Sequence, residues 1–135
     1  MFSLRKLFFA APKSPAPAHL TQAQREAILD LLNYCSLVDR DIAHREEVAI
    51  DDLEFQLGWD ENIDFDYSVN RSIGAIRAVL ESRDEAGFLQ RIRARLDSGE
   101  SRAIAVKFCE KLVRADGMVT GQESATLAAV KQALA

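Results

Sequence analysis

From Thr21 onward the apolar residues of this chain recur at helical spacing, in blocks separated by polar or glycine-containing stretches. Ile28, Leu31, Leu32 and Cys35 form one row, and Ile50, Leu53 and Leu57 form the next. Val69, Ile73, Ile76 and Leu80 make a third, and Phe88, Leu89, Ile92 and Leu96 a fourth. Ala105, Phe108, Cys109 and Leu112 make a fifth, and Leu127, Val130 and Leu134 a sixth. No apolar–polar alternation of strand period persists, so the pattern predicts an all-α helical bundle of about six to seven helices.

The polar residues between these rows carry start and stop signals. Thr21 with Gln24 reads as a capping box, opening a helix that runs to about Val38. The turn Asp39-Arg40-Asp41 follows, and the next helix spans about Ala43 to Leu57, with Gly58 to end it. Trp59 is expected as a packing anchor in the loop beyond. That loop alternates Asp60, Asn62, Asp64 and Asp66 like the opening of a calcium-binding EF-hand. The sixth position is Phe65 rather than Gly and the twelfth is Arg71 rather than Glu, so that reading fails. A polar loop with Ile63 and Phe65 turned inward fits better. Asp66 or Ser68 would cap a helix over about Ser68 to Glu81, and Ser82 with Glu85 would open the next, ended by Gly99. In that helix Arg91, Arg93 and Arg95 are expected to point mostly outward.

One local pattern occurs twice. Asp116 is followed by Val119 and Glu123 at the third and seventh positions, and Asp39 by Ile42 and Glu46 at the same offsets. In both copies an apolar row leads into the first acid and another leaves from the second. Gly117 supplies a left-handed turn and Thr120 with Glu123 a capping box, so each copy reads as a helix-turn-helix hairpin. Two similar hairpins would make the two halves of the bundle. A carboxylate at the end of an apolar stripe must be paired, hydrogen-bonded or bound to a cation. If the hairpins pack together, Asp39, Glu46, Asp116 and Glu123 could converge with Asp41 and backbone carbonyls on a hard divalent ion. An all-oxygen set favours calcium, magnesium or manganese, and His44 is the one nearby nitrogen, more simply a solvated residue.

At 135 residues there is room for one domain with its own core and for no second catalytic domain. The net charge of −4 argues against nucleic acid as a partner. The charge is unevenly placed: Glu46 to Asp66 contains acids and no Lys or Arg, whereas arginines concentrate between Arg71 and Arg114. Cys35 and Cys109 sit within apolar rows with no Cys-x-x-Cys spacing, as buried free thiols of a reducing compartment would. Residues 1–20 differ from the rest. Phe2, Leu4, Leu7, Phe8 and Phe9 flank Arg5 and Lys6, and a Pro/Ala linker follows. The segment is too short to span a bilayer; it could lie on a membrane surface or dock a partner. The domain proper is 21–135.

The stretch Ala115-Asp116-Gly117-Met118-Val119-Thr120-Gly121-Gln122-Glu123, with the degenerate earlier copy Asp39-Arg40-Asp41-Ile42-Ala43-His44-Arg45-Glu46, resembles the TerB-like family. That family includes tellurite-resistance proteins and the N-terminal domain of a membrane-anchored DnaJ-like co-chaperone. The resemblance covers about Ala18 to Leu134. It implies a helical bundle of two similar halves, a link to stress responses and membrane-associated complexes, and a divalent metal at Asp39, Glu46, Asp116 and Glu123. Asp39-Arg40 stands where the family's first turn has Asp-Gly. A role in tellurite resistance does not follow from membership of so broad a family. No nucleophile, phosphate loop or complete metal triad accompanies the acids. The expectation is a non-enzymatic cytoplasmic interaction module with a protein partner and a divalent-cation site. The alternative is a membrane-surface adaptor or co-chaperone-like protein, peripheral at the inner face of the membrane, that docks through its N-terminal segment without metal.

Overall fold

In the computed structural model, residues 20–38, 56–113 and 121–135 are described. The first helix, α1, spans Gln22–Val38, and the predicted capping box forms at its start. Gln24 N–H donates to Thr21 Oγ1 at 3.1 Å, and Thr21 N–H to Gln24 Oε1 at 2.9 Å. Two of the amides that a helix start leaves unpaired are thereby satisfied. Ile28, Leu31, Leu32 and Cys35 are all buried, as their spacing predicts.

The turn Asp39-Arg40-Asp41 and most of the predicted second helix lie outside the described residues, which resume with the helical pair Gln56 and Leu57. Gly58 has φ 67°, the left-handed backbone expected of a helix-ending glycine. Trp59 is indeed a packing anchor, meeting Phe65 edge-on at 4.8 Å between ring centroids, and Ile63 packs against the core. Two bonds tie this loop to α1: Arg25 Nε–H donates to the Leu57 carbonyl at 3.1 Å, and Asp60 N–H to Gln22 Oε1 at 3.2 Å.

The next helix, α2, spans Phe65–Ser82, starting earlier than its apolar row indicates. Its N-cap is Asp64, not Asp66 or Ser68. Asp64 Oδ1 accepts from Asp66 N–H at 3.0 Å, and Asp60 Oδ1 accepts from Asn62 N–H at 2.9 Å. These acids of the alternating loop are therefore spent on local turns. α2 ends at Arg83, a non-glycine residue at φ 56° whose N–H reaches back to the Leu80 carbonyl.

α3 spans Glu85–Arg95, but the capping box of Ser82 with Glu85 does not form. Ser82 still belongs to α2, where its hydroxyl donates to the Val79 carbonyl at 3.0 Å, and Asp84 takes the N-cap position. Gly87 leaves room for the Asp84 carboxyl group, since a Cβ there would sit 2.5 Å from Asp84 Oδ1. Nor does Gly99 end α3. That helix closes at Leu96, and Gly99 is the first residue of α4, Gly99–Val113. The reason is a serine pair absent from the sequence reading: Ser101 N–H donates to Ser98 Oγ at 3.1 Å and Ser98 N–H to Ser101 Oγ at 3.3 Å, a reciprocal cap. The last helix, α5, is Gly121–Leu134.

All five helices among the described residues are α-helices, fewer than the expected six to seven, and no strand is found among those residues. α1 is the axis of the bundle, touching each of the other four. Ile28, Leu31, Ile76, Ile92, Leu96, Leu112 and Val130 are sealed from solvent around it. Burial of each such side chain contributes about 1.5–3 kcal/mol, so the rows read from the sequence are what hold the bundle together. Tyr34 of α1 packs on Phe88 of α3 at 5.1 Å between ring centroids. Among the described residues, no helix is long and apolar enough to cross a membrane. The N-terminal segment lies outside those residues, as does any comparison of the two halves.

Candidate functional site

Asp39, Asp41, Glu46 and Asp116 lie outside the described residues, and Glu123 is placed only as backbone in the first turn of α5. Among the described residues, no group of three or more His, Cys, Asp or Glu is arranged to hold a metal ion. The polar chemistry that the fold does assemble lies elsewhere, along the seam between α1 and α2.

There Ser68, Arg71, Ser72 and Ala75 occupy one face of α2, at the spacing of successive helical turns, opposite Glu26, Leu29 and Asp30 of α1. Arg95, from the last turn of α3, closes one side, and together they line an open cleft of about 350 Å³. That volume is at the small end of ligand-binding clefts.

Asp30 is the centre of the cleft's hydrogen bonding. Its Oδ1 accepts from the Ser72 hydroxyl at 2.6 Å, and its Oδ2 accepts from Arg95 at 2.6 Å. Ser72 Oγ in turn accepts from Asn33 Nδ2 at 2.9 Å. The Asp30 side chain is 20% exposed and that of Arg95 39%, so the pair is only partly screened by water. This chain of bonds joins α1, α2 and α3 and fixes four side chains in one geometry. Ser72 resembles a serine nucleophile beside a base only superficially. Its proton is directed to Asp30, Asp30 also accepts from Arg95, and Ser72 is 4% exposed. The network is a preorganised wall.

The other edge of the cleft is uncommitted. Arg71 is exposed, and among the described residues no hydrogen bond or ion pair engages its guanidinium. Glu26, half-buried opposite, accepts one bond from Gln22 Nε2 at 3.3 Å through Oε2, leaving Oε1 open. The sequence reading placed Arg95 on a solvated face and read the α2 row as plain core. The signal it missed is Ser72, a hydroxyl next to the buried Ile73 and three residues beyond the buried Val69. A polar residue inside an apolar row implies a partner on the facing helix.

A second inter-helix contact joins the cysteines. Cys35 and Cys109 are free and buried, and their thiols hydrogen-bond across the packed faces of α1 and α4. That bond, with burial next, raises the Cys109 thiol well above its ordinary range. A neutral, enclosed thiol is a core group rather than a nucleophile.

No family model matches the chain, and no curated protein or solved structure matches it.

Proposed function

We propose that the chain is a non-enzymatic helical interaction module of the TerB-like kind, made of two similar helix-turn-helix halves. It holds a protein partner in the α1–α2 cleft and a divalent cation at its acidic turns. The observation that carries this reading is the contrast inside the cleft: Asp30, Ser72 and Arg95 are bonded to one another as a fixed wall, whereas Arg71 and Glu26 face it with bonding capacity unused. A surface ordered in advance and left with open donors and acceptors loses little entropy when a partner arrives. The commitment of Ser72 and Asp30 to each other supports binding over catalysis. The repeated turn motif supports the TerB-like assignment and, with it, the cation. The buried free thiols favour the cytoplasm.

Site-specific photo-crosslinking tests the cleft. A photoreactive residue in place of Ala75, an exposed cleft position, should trap a defined protein adduct in cells; the same residue at Ala78, exposed on α2 but outside the cleft lining, should not. Identical adducts from both positions, or none from Ala75, would remove the cleft from the interaction.

A further inference from the structure

The unused groups of the cleft specify what fits it. Arg71 offers a whole guanidinium fork, and Arg95 keeps several N–H groups beyond the one given to Asp30. Asp30 is already engaged through both oxygens, to Ser72 and to Arg95. The strongest open donors are therefore guanidinium groups, which pair best with a planar carboxylate, bidentate where geometry allows. Glu26 adds a second requirement. Its open oxygen lies across the cleft from Arg71 and would repel an anion that brought no donor of its own. An acidic residue in a peptide meets both demands, with a side-chain carboxylate for the arginines and main-chain N–H groups for Glu26. The cleft opens to solvent along the seam of the two helices rather than being an enclosed cavity.

We infer that the α1–α2 cleft recognises an acidic peptide segment, with Arg71 as the clamp for one Glu or Asp side chain, Arg95 as its fixed second donor and Glu26 as the acceptor for the peptide backbone. This rests on reading the cleft as an interaction site and names the chemistry of the partner.

The test uses the full chain with ¹⁵N label, followed by NMR at the arginine Nε–H groups and the backbone amides. Three probes are compared: a capped triglutamate peptide, a capped triglutamine peptide and glutarate. The triglutamate should shift Arg71 and Arg95 saturably, with triglutamine and glutarate each at least about tenfold weaker. Arg71→Gln should weaken triglutamate binding about tenfold while leaving the melting temperature unchanged, because the Arg71 guanidinium is exposed and bonds to no other side chain or carbonyl among the described residues. Equal binding of triglutamine, equal binding of glutarate, undiminished binding by Arg71→Gln, or no shift at the cleft would each overturn the acidic-peptide assignment. If the adduct trapped at Ala75 persisted in that case, the interaction reading would stand and only the partner chemistry would fall.

Discussion

Tyr34 and Cys109 show what single-residue burial does to the protein's response to pH. Burial, with smaller contributions from the negative charges of Glu85 and Cys35, pushes the Tyr34 hydroxyl up to about 12 from its ordinary 10.0. The Cys109 thiol is raised from 9.0 by its bond to Cys35 and by burial. Both groups therefore hold their protons longer in the folded chain than in the unfolded one. Between the unfolded and folded values the native state binds more protons, so the stability these groups confer is complete below about pH 9 and is lost as pH rises through the folded values. Denaturant midpoints should hold steady from neutral pH to about 9 and then fall toward 12, with Tyr34→Phe flattening the upper part of the fall. A midpoint independent of alkaline pH would mean that neither group is buried as the structure has it.

At the scale of the element, the loop into α2 turns on one carboxylate. Asp64 closes the helix start with its side chain on Asp66 and Tyr67 N–H, while its carbonyl accepts from Ser68 N–H at 3.2 Å. Asp64→Ala should cost about 0.5–2 kcal/mol, the usual range for losing an N-cap, and Asp64→Asn should cost less. Thermal unfolding followed by the fluorescence of Trp59, the sole tryptophan, measures both in one probe. Equal losses for Asn and Ala would show that charge near the helix start, not the capping bond, is what matters. Thr21 with Gln24 could be read from the sequence because an S/T-x-x-E/Q spacing is itself the structure of the cap. Ser82 with Glu85 has the same spacing and fails, because Ser82 is used to finish α2, a choice that depends on where the preceding helix stops.

For the whole molecule, the divalent-cation proposal makes a prediction that needs no view of the acidic turns. If Asp39, Glu46, Asp116 and Glu123 share an ion, calcium, magnesium or manganese should raise the melting temperature relative to chelator, by mass action on the folded state. Asp116→Asn should shrink that increment and stabilise the ion-free protein, since one repelling charge is gone while the turn keeps its hydrogen bonding. Melting curves of both proteins with and without each ion provide the comparison. An absent shift in the unmodified chain would reduce the acids to turn architecture.

The all-α class and the burial of Ile28, Leu31, Phe88, Ile92, Leu112 and Val130 were set by sequence alone, because a helix turns its side chains with a fixed period and the apolar rows keep that period. Gly58 was equally legible, since it is glycine that takes a φ of 67° without strain. The cleft was not. Asp30 and Ser72 are 42 positions apart and Asp30 and Arg95 are 65 apart, and each alone looks like a solvated residue on a helix flank. Their pairing depends on how α2 and α3 are rotated against α1, which is decided by packing of the whole core. The same holds for Cys35 and Cys109: their burial follows from the period of their own helices, but their contact exists only because α1 and α4 lie face to face.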